Sequence, residues 1–150
     1  MAKTWTAPKS LYLTRILVKA TIALCIMAAF CVPICTEWYD TVSGQNPIHN
    51  LLNVVLYISD ALGLISMWEL NGMLNRISKQ DIFVAENVKV LRIISWCCFG
   101  IAALFFVLTF FRMLALIITF AAALFGMIMR VLKNVFELAV ELRQENDFTI

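Results

Sequence analysis

Residues 93–129 read IISWCCFGIAALFFVLTFFRMLALIITFAAALFGMIM, with Arg112 as the only charged residue among them. One helix through all of it would be about 55 Å long at 1.5 Å per residue. That is nearly twice the roughly 30 Å of hydrocarbon in a bilayer. The stretch therefore predicts two membrane spans, 93–111 and 113–129, joined by a tight turn around TFFRML. Neither Gly nor Pro marks the turn, and Arg112 is the only interruption in the apolar run.

Working outward, two more apolar runs occupy 17–36 and 51–70, so the expected fold is an all-α integral membrane four-helix bundle. Composition agrees: the 150 residues are 62% hydrophobic and only 15% charged, with a mean hydropathy of +0.86, well outside the soluble range. A formal charge of +2, without a basic stripe interleaved with aromatics, excludes direct nucleic-acid binding. The basic start followed by a long apolar run resembles a secretory signal. Its length and poor cleavage pattern instead predict an uncleaved first span.

Charge sets the expected orientation. With four spans, Lys3, Lys9, Arg15, Lys19, Arg76, Lys79, Lys89, Arg92, Arg130, Lys133 and Arg143 share one side and Arg112 alone faces the other. The positive-inside rule makes the shared side the cytoplasm. Both termini, the loop at 72–92 and the tail at 130–150 are then expected inside a plasma membrane.

Within the second span, Asn53, Tyr57, Asp60, Met67 and Asn71 share one helical face, which is expected to look into the bundle. A carboxylate at mid-membrane costs roughly 2.5 to 3.5 kcal/mol. Asp60 then has two readings: a proton or cation site of a small, oligomeric transporter or channel, or a hydrogen-bonded group holding helices together with Tyr57 and Asn53. No second deeply buried acid or base completes a relay. Cys31 and Cys35 are four apart with His49 in the facing loop, but the spacing matches no strong metal pattern, and the five cysteines lie in or beside apolar runs rather than forming a disulfide framework. No metal, cofactor motif, phosphate loop or catalytic arrangement is expected.

Beyond the fourth span, Val131, Val135, Leu138 and Leu142 form a helical stripe with Leu132, Phe136 and Ala139 alongside. The fourth helix is expected to continue as an amphipathic extension. The loop before the third span carries SKQD, which suits a helix start, followed by Val84, Val88 and Leu91. Its apolar face and that of the tail are expected to pack together. Glu137, Glu141, Glu145 and Asp147 outweigh Lys133 and Arg143, which favours a protein partner over a lipid surface.

Phe83, Glu86-Asn87 and Leu91-Arg92 leading to Trp96, then Val135-Phe136, Ala139, Leu142-Arg143 and the closing ENDFTI, resemble the signatures of a domain-of-unknown-function family of small four-span bacterial membrane proteins. The resemblance covers essentially the whole chain; Phe148 stands where that family is expected to carry Leu. Members are often encoded beside a short Cro/CI-type helix-turn-helix regulator, so the resemblance implies a regulatory membrane protein that binds a DNA-binding protein. The residues expected to meet that partner are Phe83, Asn87, Arg92, Phe136, Glu141, Leu142, Glu145, Asp147, Phe148 and Ile150. The alternatives are the Asp60 transporter and an immunity protein against a membrane-active peptide, acting through the outer loop EWYDTVSGQNPIHN.

Overall fold

A computed structural model describes residues 7–44 and 46–149 of the chain. They form four helices: α1 (Ala7–Ser43), α2 (His49–Ser78), α3 (Ala85–Thr109) and α4 (Ala115–Phe148). All four are long and apolar enough to cross a membrane. Helices suit such runs because hydrocarbon offers no hydrogen bonds and a helix satisfies its backbone internally.

The bundle is open. Each helix packs on its neighbour in sequence, α1 on α2, α2 on α3 and α3 on α4, and among the described residues α1 does not reach α4. The inner pair α2 and α3 therefore have two neighbours each, while α1 and α4 are edges. Burial follows this order: α3 contributes Val90, Leu91, Ile94, Phe105 and Leu108 to two apolar clusters. One cluster joins Phe105 and Leu108 to Val55 of α2 and Ala115 of α4. The other joins Leu91 and Ile94 to Met73 of α2, with Met129 and Phe136 of α4 against it.

The α3–α4 contact is close because one residue there has no side chain. A Cβ added at Gly126 would sit 3.1 Å from the Phe99 ring and 3.3 Å from Cys98 Cβ. The same approach lets the fully buried Ser95 hydroxyl donate to the Gly126 carbonyl at 2.9 Å. Small residues at membrane helix contacts and polar groups bonding across them serve this purpose.

The turns differ in kind. Residues 110–114 break the long apolar run, with Phe111 N–H bonded to Leu108 O at 3.0 Å and Ala115 N–H to Arg112 O at 2.9 Å. At the other end SKQD does not start a helix, as its capping pattern led us to expect; it ends one. Gln80 takes a left-handed φ of 67°, its N–H bonds Ile77 O at 3.0 Å and Asp81 N–H bonds Arg76 O at 3.1 Å. That is the Schellman arrangement, which consumes the last free carbonyls of α2. Helix α3 begins only after Val84, which is extended.

Candidate functional site

The α2–α3 turn is organised by one residue. Asn87 is 0% exposed; its amide donates to Asp81 O at 3.1 Å and Ile82 O at 2.8 Å, and its Oδ1 accepts from Arg76 Nε at 2.8 Å. Three bonds from one side chain hold the turn against the ends of both helices. Asn87 therefore belongs to the fold, and its place among the partner-contacting residues is corrected: a side chain this buried has nothing left to offer a partner.

This ordered turn lies against the α4 tail. The rings of Phe83 and Phe136 are 5.7 Å apart, and Glu137 is held by a hydrogen bond from Lys133 and by Arg92 at 3.7 Å. The Lys133 bond, helped by the attraction of Arg92, holds the Glu137 carboxyl below the usual carboxylate range. Phe136 and Arg92 thus fix α4 to α3 rather than standing free. Beyond them a cleft of about 350 Å³ opens between the turn and the tail, walled by Asp81, Phe83, Val84 and Glu86 on one side and Val140, Arg143 and Asp147 on the other. Three carboxylates against one guanidinium, over an apolar floor, make it an acidic groove suited to a basic, partly apolar surface.

The remaining predicted contacts lie elsewhere on α4. Glu141, Glu145 and Phe148 line a shallow concavity at the tip with Gln144 and Thr149, and Leu142 is 58% exposed. Ile150 lies outside the described residues. The expected pairing of the two apolar stripes is also corrected. The turn packs on Phe136 and Val140, whereas Val131, Val135, Leu138 and Leu142 face away from it.

At the opposite end of the molecule a second polar cluster links the two loops. Asp40 accepts from the backbone N–H of Ile48 at 2.8 Å and of His49 at 2.7 Å, capping the start of α2 with a negative charge, as the helix dipole favours. His49 Nδ1 lies 3.5 Å from the same carboxylate. Arg112 reaches Asp40 at 3.5 Å, donates to Asn46 O at 3.0 Å and stacks over Tyr39 at 5.6 Å. Sequence reading missed Asp40. The signal was there, since a lone cation on one side of a membrane asks for a counter-charge, and Glu37 and Asp40 are the acids in the connecting segment.

The polar face of α2 meets α1 rather than a central cavity. Thr36, 1% exposed, donates to Asn53 Oδ1 at 2.6 Å, and the Cys25 thiol lies beside Asp60. Tyr57 is 45% exposed on the lipid side, so the expectation that it looks inward is corrected. The face that meets α3 carries Val55, Ser66 and Met73 instead. Cys31 and Cys35 are exposed on α1, and among the described residues no three His, Cys, Asp or Glu side chains converge.

Four apolar helices in an open series, with paired polar side chains at their contacts and two ordered polar ends, define a multi-pass helical membrane protein. The chain matches the family model described as "Protein of unknown function (DUF2975)" over residues 23–150 and belongs to that family. No curated protein and no solved structure matches it.

Proposed function

We propose that the chain is a non-enzymatic regulatory protein of the bacterial plasma membrane, with both termini in the cytoplasm, that binds a small helix-turn-helix transcription regulator between its α2–α3 turn and its C-terminal helix. The observation that carries the reading is the acidic cleft of Asp81, Glu86 and Asp147 over Phe83, Val84 and Val140. A regulator that binds DNA carries basic surface, and opposite charge around an apolar centre favours both encounter and specificity. The resemblance to proteins encoded beside such regulators supplies the partner class. The polar pairs Thr36 with Asn53 and Cys25 with Asp60 support the helix-holding reading of these residues over the transport one.

The test is a pull-down from solubilised native membranes, comparing the full chain with one ending at Arg143 and with the double substitution Glu86→Lys and Asp147→Lys. Recovery of a small DNA-binding protein by the full chain alone is the expected result. Recovery of the same proteins by all three removes the cleft from the function.

A further inference from the structure

We infer that the α3–α4 turn ends inside the bilayer, its apolar side chains bedded among lipid chains, and that the Arg112–Asp40 pair stands at the level of the lipid headgroups. Between Phe106 and Leu114 the sequence is FVLTFFRML, with Thr109 and Arg112 as its only polar residues. Both are turned away from the surroundings. The Thr109 hydroxyl donates to Phe105 O at 3.0 Å, and the Arg112 side chain, 10% exposed, goes to Asp40, Asn46 O and Phe111 O. What the turn displays is Phe110, Phe111, Met113 and Leu114, each more than half exposed and Met113 at 82%. Water does not favour such a surface.

The backbone is closed to match. The N–H groups of Phe110, Phe111 and Arg112 bond Val107 O, Leu108 O and Leu108 O at 3.3, 3.0 and 2.9 Å, and those of Ala115, Leu116 and Ile117 bond Arg112 O, Met113 O and Leu114 O at 2.9, 3.0 and 3.2 Å. Phe110 and Leu114 keep right-handed helical angles. A turn in water has no need of this, whereas hydrocarbon admits only backbone whose polar groups are satisfied within the protein. Successive residues of a turn point in different directions, so four exposed apolar side chains among five positions leave no single flank for a partner chain. Lipid covers all of them at once.

Helix length locates the turn in depth. Arg130 lies over the Trp96 ring at 5.2 Å, and Trp beside a basic side chain is a usual marker of a membrane interface. From Trp96 to Thr109, the last residue of α3, is about 20 Å, and from Ala115 to Arg130 about 23 Å. Both fall short of the roughly 30 Å of hydrocarbon, and any tilt shortens the reach further. The first two helices have the missing length: α1 runs about 32 Å from Lys19 to Asp40 and α2 about 30 Å from His49 to Glu69. The α1–α2 loop therefore reaches the surface while residues 110–114 stay below it. Arg112, which bonds that loop through Asn46 O, bridges the difference as long basic side chains do at an interface.

The test uses the full chain in phosphatidylcholine vesicles, with a membrane-impermeant maleimide both trapped inside and added outside. Asn46→Cys, in the exposed loop, should label above the background of the native cysteines. Met113→Cys should label at least about tenfold more slowly, because a thiol in hydrocarbon keeps its proton and the thiolate is the reacting form, and should match Asn46→Cys once denaturing detergent dissolves the vesicles. Cover by a protein chain gives the same slow labelling, so Met113→Trp in vesicles with brominated acyl chains supplies the second reading: the fluorescence it adds should be lost there, and that of Asn46→Trp largely kept. Should the Met113 variants lose helical circular dichroism, Leu114→Cys and Leu114→Trp take their place. Labelling at 113 as fast as at 46 would put the turn in water, and a residue 113 that neither labels nor loses fluorescence to bromine would put it against protein; either result overturns the inference.

Discussion

The Arg112 guanidinium lies 3.5 Å from the Asp40 carboxylate, with 10% and 9% of the two side chains exposed. The pair ties the α3–α4 turn to the end of α1 and, through the bonds of Asp40 to Ile48 and His49, to the start of α2. Removing one member takes the charged partner from the other in a site largely closed to water, and breaking such a pair costs up to roughly 3 to 5 kcal/mol. Asp40→Ala and Arg112→Met are each expected to destabilise by about 3 kcal/mol in unfolding measurements in micelles. The double substitution should cost clearly less than the sum, and strict additivity would show that the two are not coupled.

Asn87→Leu is expected to cost about 3 kcal/mol. It leaves the carbonyls of Asp81 and Ile82 and the Nε of Arg76 without the partner they share, and buried polar groups so stranded cost roughly 1 to 3 kcal/mol each. Limited proteolysis should then cut within 79–84. An unchanged digestion pattern would show that the turn is held by something else.

Gln80 holds a left-handed conformation that glycine adopts without strain. Gln80→Gly is therefore expected to stabilise by about 1 kcal/mol, read as a raised unfolding midpoint.

Gly126→Leu should loosen α3 from α4, since even a Cβ meets Phe99 and Cys98. The expected loss exceeds that of Gly126→Ala, for which a shift of a few tenths of an ångström by the Phe99 ring suffices. Equal stability of the two variants would deny the close contact.

The Glu137 carboxyl is held below its ordinary value of 4.5, chiefly by the Lys133 hydrogen bond. A carboxylate with a depressed folded pKa stabilises fully above its unfolded pKa and loses that contribution as pH falls through the folded value. The attachment of the tail to α3 should therefore weaken in acid, below about pH 4.5, seen as faster amide exchange around 133–140. Glu137→Gln should remove that pH dependence.

How much of this was legible beforehand varies with the kind of signal. Apolar length and the isolation of Arg112 foretold four helices and the break between α3 and α4, because hydrocarbon thickness limits any span. The groove was half legible: Phe83 and Asp147 were expected at a partner, whereas Glu86 stood only among the signature residues, Asp81 only within SKQD and Val140 nowhere, and Asn87 looked like a contact while it holds the turn. SKQD carries the composition of a helix start, yet the same polar residues also close a helix.

Sequence by itself determined the membrane class, the helix count and the family, since these depend on local hydropathy and on residues read in order. Only the tertiary structure decided which face each helix turns to its neighbours. A 3.5-residue stripe on α4 announces an apolar face, but α3 packs against the other side, where Gly126 permits close approach and Phe136 and Val140 meet the turn. Periodicity specifies that a face exists; what covers it depends on contacts between residues far apart in the chain.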